Sequence, residues 1–245
     1  MRIRMESATP GRLRVAIDGP ASAGKSSVAR MVASRIGYMY LDTGAMYRAL
    51  ALTAVDRNIP LDDVESLGRM AKSVKMRAAE DQGVFRVWVD GDELTERLRD
   101  PETDKVVKVL AMARPVREVL VPIQRGLAAQ GGVVMEGRDI TSVVLPDAEV
   151  KVFLTAGIRE RARRRWQELQ CKGVNVPWEE VLRELRKRDE KDVERDWGRL
   201  VKVEDAALVD TTGKTLQEAC LEIVRMCEAK TSWCTGSSEG SSSSS

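Results

Sequence analysis

The residues with the plainest chemistry lie close to the N-terminus. Gly19, Pro20, Ala21, Ser22, Ala23, Gly24, Lys25 and Ser26 spell G-x-x-x-x-G-K-S, the spacing of a phosphate-binding loop. Glycines at 19 and 24 admit backbone angles that a Cβ would forbid, so successive N–H groups can turn inward around a phosphate. The helix pattern that follows offers its free N-terminal N–H groups to the same anion. Lys25 would neutralise the terminal phosphates of a nucleotide, and Ser26 would offer its hydroxyl to Mg²⁺. Further along, Thr43 supplies a hydroxyl and Arg48 a planar fork suited to phosphate. A crowd of arginines, Arg159, Arg161, Arg163, Arg164 and Arg165, follows a later strand pattern. There is no histidine in the chain, which removes histidine bases, Ser-His triads and histidine-ligated zinc together. Phosphoryl transfer survives that exclusion, because it rests on alignment and charge neutralisation by lysine, arginine and Mg²⁺.

Such groups need a frame. A short apolar run, Leu13 to Ile17, predicts a buried parallel strand over 13–18 before the loop, and Val28, Met31, Val32 and Ile36 recur at helical spacing after it, up to a terminating Gly37. A second strand, around residues 38–42, runs into another helix. Strand, loop, helix and strand at this spacing predict a βαβ unit and a parallel sheet. In the open sheet that this implies, segments at strand C-terminal ends line the ligand crevice, which puts Thr43 and Arg48 beside the loop. The middle differs. Residues 74–78 and 84–89 predict strands with a turn at 80–83, and Phe85, Val87 and Val89 alternate with Arg86 and Trp88. A second turn at Asp90-Gly91 completes a small antiparallel meander inserted in an α/β chain. Residues 101–130 predict helices interrupted at Pro115 and Pro122. Further strands are expected at 132–136, 150–154 and 207–210, and helices at 158–171 and 178–197. A capping box at Thr215 and Glu218 opens a last helix with Leu216, Cys220, Ile223, Val224 and Cys227 on one side.

The chain has 245 residues and a net charge of +2, enough for one large domain and too balanced for general nucleic-acid binding. No nucleic-acid or membrane partner is expected. No apolar run reaches the length of a membrane span, and residues 1–10 lack the apolar core of a signal peptide. The four cysteines show no C-x-x-C pairing, so they read as reduced thiols of a cytoplasmic protein. Residues 1–12 are expected as a disordered leader and residues 228–245, rich in Ser and Gly, as a disordered tail.

A phosphate loop alone leaves kinases, GTPases and motor ATPases open. No N-K-x-D stretch for a guanine base is present. The apolar strand before Gly137-Arg138-Asp139 is only loosely like the acid-terminated strand of the large ATPases. At residues 42–48 (DTGAMYR), directly after DGPASAGKSS at 18–27, the chain resembles bacterial cytidylate kinases. The likeness continues through Arg117, EGRDI at 136–140, KVFLT at 151–155, ERARR at 160–164 and RDEKD at 188–192 with Arg195, over roughly residues 13–225. It implies a P-loop NTPase-type α/β fold with a mostly parallel sheet, helices on both faces, an antiparallel monophosphate-binding insertion and an arginine-rich lid. The folded kinase domain would span 13–227, with the insertion at about 61–100 and the lid at about 158–176. Residues Gly19 to Ser27, Ser27 included, would hold ATP. Thr43, Arg48 and Arg117 would hold the phosphate of CMP, and Arg138 and Asp139 would meet the cytosine edge. Arg188, Asp192 and Arg195 would engage the acceptor from the other side, and Arg161, Arg164 and Arg165 would close over the moving phosphoryl group. ATP and Mg²⁺ are the implied donor and cofactor, CMP and dCMP the acceptors, and a monomer the expected assembly. A kinase for another acceptor such as UMP, or a nucleotide-binding regulator without catalysis, are the alternatives.

The chain departs from the family pattern at Lys108, where a serine is usual, at Thr141-Ser142 in place of Gly-Thr, at Lys191, and at Gly198-Arg199 in place of Ser-Pro. Thr141 raises an expectation of backbone strain if that site needs a positive φ.

Overall fold

The structure is a computed structural model that describes residues 12–81, 83–99, 101–194 and 197–236. Five parallel strands form the main sheet: β1 (Arg14–Asp18), β2 (Met39–Asp42), β6 (Val133–Gly137), β7 (Val150–Thr155) and β8 (Ala207–Asp210), in the order β2-β6-β1-β7-β8. The central strands carry continuous apolar runs, as parallel strands covered on both faces must. Val15, Ala16 and Ile17 of β1 and Val133, Val134 and Met135 of β6 are fully buried.

Helices α1 (Lys25–Ile36) and α8 (Leu216–Gly236) pack on each other and against β6 and β7 respectively. Gly37 ends α1 in the left-handed conformation, its N–H donating to Ala33 O. Helix α2 (Thr43–Asp56) is started by Asp42, whose carboxylate accepts from Ala45 N at 2.9 Å. It packs against α3 (Val64–Ser73), α4 (Pro101–Met112) and α5 (Arg114–Ala128). The insertion is a separate antiparallel sheet of β3 (Met76–Asp81), β4 (Val84–Val89) and the short β5 (Asp92–Glu93). Its buried residues Phe85, Val87 and Val89 join the main core, while β4 lies on α2 and β2. Helices α6 (Ile158–Cys171) and α7 (Trp178–Glu194) form a hairpin with its own small core, made of Ala162, Val181 and Leu185. The phosphate-loop residue Ala21 is the fourth member of that core. The expected mostly parallel sheet, helical layers and antiparallel insertion are therefore what the chain forms.

Several local expectations are corrected. Pro122 does not break a helix: α5 runs through it. Pro122 and Glu118 are both exposed, so the carbonyl left without its usual donor lies on the solvent side of the helix, while Val116, Leu120, Gln124 and Ala128 keep one face buried across the proline. The break falls at Ala113, ahead of Pro115. Strand β3 begins at Met76 and runs to Asp81, two residues into the expected turn, because Glu80 and Asp81 still pair with Phe85 and Val84 of β4, and the Glu80 carboxylate accepts from Tyr40 N of β2. Helix α7 ends at Glu194, short of Trp197. The capping box forms as expected, Thr215 N donating to Glu218 at 2.8 Å and Glu218 N to Thr215 Oγ1 at 3.2 Å. Leu216 is exposed, since the first turn of α8 overhangs the core that buries Cys220, Ile223, Val224 and Cys227. Residues 228–236, expected as the start of the tail, continue α8. Residues 1–11 of the leader, residues 237–245 of the tail and the site candidate Arg195 lie outside the described residues.

Candidate functional site

The loop leaves β1 at its C-terminal end, between neighbours β6 and β7. Its glycines are needed by contact as well as by angle: a Cβ on Gly19 would sit 1.9 Å from Leu154 O of β7. Ser22 and Gly24 have φ of 59° and 95°, which turns successive N–H groups to one side as an anion cradle. Gly24 caps α1 without a side-chain hydrogen bond, so the first turn of that helix is served by whatever anion the cradle takes. Lys25 is buried and donates to Pro20 O at 2.9 Å. Burial, and then the charge of Arg138, press its ammonium down from the usual 10.5 to about 7. A lysine held so far below its range is one that a phosphate would recharge.

Ser26 Oγ donates to Glu136 at 2.5 Å. Glu136 is a buried acid of β6, and Tyr40 Oη donates to the same carboxylate oxygen at 3.3 Å. Asp42 is the register partner of Glu136 on β2. Burial and the Glu136 charge raise its carboxyl to about 6. A serine hydroxyl and two carboxylates at the end of adjacent strands are hard oxygen donors of the kind Mg²⁺ takes, usually with several waters.

On the β8 side, a cavity of about 260 Å³ opens beside the loop among Gly24, Ser27, Val28, Arg164, Thr211 and Leu216. Arg164 spans it, donating to Ala23 O at 3.1 Å and Thr211 O at 2.8 Å, with Glu160 behind at 2.9 Å. Arg161 is buried. It donates to Ala156 O and Ala21 O and makes a two-pronged pair with Asp189 at 3.0 and 2.7 Å. Both arginines therefore touch the loop backbone. Arg165 turns away to Glu168 at 2.9 Å on the partly exposed side of α6. The three arginines expected to act together divide in this way.

On the β2 and β6 side, the second group gathers. Thr43 Oγ1 donates to Glu136 O at 2.7 Å, and Arg48 lies close enough to the start of α2 that a Cβ on Gly44 would meet its guanidinium at 3.1 Å. Arg117 of α5 is buried, paired with Asp139, and donates to Tyr47 Oη at 3.3 Å. Arg117, expected on the acceptor phosphate, pairs here with the carboxylate of the residue expected on the cytosine. Arg138 donates to Asp192 at 2.8 Å and to Gly19 O at 2.9 Å, linking α7 to the loop. Arg188 is exposed on α7 and near enough to Lys25 to lower its pKa. The sequence brings all of these together except Arg195, which is not described, and Lys108, which lies exposed on α4.

The loop 138–141 is held by Asp18, the last residue of β1. Its buried carboxylate accepts from Ile140 N at 2.8 Å, Thr141 N at 2.7 Å and Thr141 Oγ1 at 2.6 Å. Burial raises Asp18 to about 6 in spite of these donors. Thr141 is not at positive φ, so the expected strain is absent, and its hydroxyl adds a third donor that glycine lacks. Gly198, φ 64°, touches Arg117: a Cβ there would lie 2.5 Å from the guanidinium carbon. Sequence reasoning gave no role to Asp18, Asp42, Glu136 and Asp189, although each stands in a quoted motif, and it read Gly198 only as a departure from the family pattern.

A phosphate loop at the end of a parallel sheet, with an open cavity on one flank and paired arginines and acids on the other, defines a phosphate-loop nucleotide kinase. A sequence model of the cytidylate kinase family matches residues 15–229. Cytidylate kinases of Pelotomaculum thermopropionicum, Desulfitobacterium hafniense and Bacillus subtilis are 46%, 48% and 44% identical to the chain. They cover 86%, 84% and 89% of it and 93%, 88% and 98% of their own length. The chain belongs to the cytidylate kinase family.

Proposed function

We propose that this kinase transfers the γ-phosphoryl group of ATP to CMP and dCMP, forming CDP and dCDP, with Mg²⁺ as the metal. Gly19 to Ser27 take the donor phosphates, and the cavity by Arg164 and Thr211 takes the donor base. Ser26 and Glu136 would hold the metal, whose charge would offset that of the donor phosphates. Lys25 regains its proton against that charge. The acceptor oxygen is already anionic, so no strong base is required and the absence of histidine costs nothing. The lid is residues 158–176, with Arg161 and Arg164 as its points of contact with the loop and Arg165 on its outer side. The insertion at 61–100 walls the acceptor side of the kinase domain, residues 13–227. Thr43, Arg48, Arg188 and Arg195 take the acceptor phosphate and sugar, with Arg138 and Asp192 between them.

The observation that carries the choice of cytosine is the buried Arg117–Asp139 pair. A carboxylate accepts from the N4 amino group of cytosine, and a guanidinium beside it donates to N3 and O2. Uracil offers the opposite pattern at position 4. We therefore move Arg117 from the phosphate to the base. The three described cysteines are unpaired and no described helix is long and apolar enough to cross a membrane, which suits a cytoplasmic setting. A monomer suffices, since both subsites lie in one chain. Asp139→Asn is the test. The ratio of kcat/KM for CMP to that for UMP should fall by about tenfold to a hundredfold, the roughly 1–3 kcal/mol that one base-edge contact discriminates. An unchanged ratio would mean the base is read elsewhere.

A further inference from the structure

We propose that Tyr40 is a positioning residue: its hydroxyl holds the Glu136 carboxylate against Ser26, and its amide and ring tie that carboxylate to the inserted antiparallel sheet. The proposal rests on the reading of Ser26 and Glu136 as the metal side of the donor site. Tyr40 lies on β2, the edge strand of the main sheet, and is 1% exposed. Four contacts fix it. Its N–H donates to Glu80 of β3 at 2.5 Å. Its ring meets that of Phe85 of β4 edge-on, with centroids 6.3 Å apart. The Arg30 guanidinium of α1 stands over the ring at 5.2 Å. Its hydroxyl donates to Glu136 Oε1, the same oxygen that takes the Ser26 hydroxyl.

Glu136 needs holding. Asp42 lies beside it at the matching register position, and two carboxylates at the ends of neighbouring strands repel each other. With a free rotamer, Glu136 would turn away from Asp42 and lose Ser26. Two donors converging on Oε1 prevent this and leave Oε2, which has no hydrogen-bond partner among the described residues, for a cation or its water. Hydrogen-bond donors that orient a ligating carboxylate are themselves part of a metal site. The connection is unusual in its reach: Glu80 and Phe85 belong to the sheet that walls the acceptor, and Ser26 belongs to the donor loop, with one side chain between them.

Tyr40→Phe removes the hydroxyl and keeps the ring, the amide and the packing. ADP binding is measured by calorimetry with and without Mg²⁺, beside the KM for CMP and the melting temperature. The factor by which Mg²⁺ tightens ADP binding should fall about tenfold, while metal-free ADP affinity, the KM for CMP and the melting temperature stay at wild-type values. An unchanged Mg²⁺ factor in a folded Tyr40→Phe protein, or an equal loss of metal-free and Mg²⁺-dependent binding, would make Tyr40 a packing residue and overturn the proposal. Glu136→Gln separates the underlying reading. If it lowers the Mg²⁺ factor and Tyr40→Phe does not, the metal side stands and only the role of Tyr40 falls. If neither lowers it, both fall.

Discussion

Lys25→Met should make the free protein more stable while nearly abolishing its chemistry. The ammonium is buried among Arg138 and Arg188 and is held from 10.5 down to about 7. Each tenfold change in proton affinity is worth about 1.4 kcal/mol, so at pH 7 the cost of this side chain has a ceiling of about 4 kcal/mol. Methionine keeps the stem and loses one hydrogen bond to Pro20 O, worth about 1 kcal/mol. A net gain of about 1–3 kcal/mol is expected, read as a rise of roughly 2–10 °C in melting temperature. The pH dependence fixes the cause. A lysine whose folded pKa is depressed binds fewer protons folded than unfolded, so its cost is fully present below about pH 7 and vanishes as pH rises through 10.5. The stability advantage of the variant should therefore be largest at pH 6–7 and close toward pH 10. Thermal melts across that range, paired with a phosphoryl-transfer assay expected to drop by about a thousandfold, make the test. A variant less stable than wild type by the same amount at pH 7 and pH 10 would refute the reasoning and make Lys25 a strut of the loop.

Gly198→Ala places a Cβ 2.5 Å from the Arg117 guanidinium at a φ of 64°. The KM for CMP should rise about tenfold or more, with the KM for ATP unchanged in steady-state kinetics. Gly19→Ala meets main chain instead, the Leu154 carbonyl at 1.9 Å, and should cost more than about 3 kcal/mol in urea denaturation together with donor binding. Arg161→Ala strands Asp189 and two carbonyls. A loss of about 2–3 kcal/mol in the same denaturation is expected, below the range for a fully buried pair because Asp189 is partly exposed. A fall in kcat at unchanged stability would return Arg161 to direct catalysis.

The frame was legible because it is local. The strand before Gly19, the helix after Ser26, the alternation at 84–89 and the capping box at Thr215 each state their geometry within about ten residues. Prolines were read too strictly at Pro122, because burial of Val116, Leu120 and Gln124 on the far face outweighs one missing hydrogen bond. The motif residues gather as expected, but their pairings were not legible. Arg161 meets Asp189 and Arg138 meets Asp192 across long stretches of chain, and nothing in a single sequence reports which arginine faces which acid. Gly198 was read as a mere departure from a Ser-Pro pair, yet its missing side chain is what lets Arg117 lie where it does. Asp18 and Glu136 sat in plain view at strand ends, and their roles depend on a sheet order that only the folded chain supplies.

The central claim is a cytosine monophosphate acceptor opposite an ATP loop. A coupled assay of ADP release with Mg²⁺ and ATP, run over CMP, dCMP, UMP, AMP and shikimate, measures it directly. The account predicts the highest kcat/KM for CMP and dCMP, with UMP well below and AMP and shikimate inert. Faster turnover of any of those three than of CMP and dCMP, or tight CMP binding without ADP release, would contradict it.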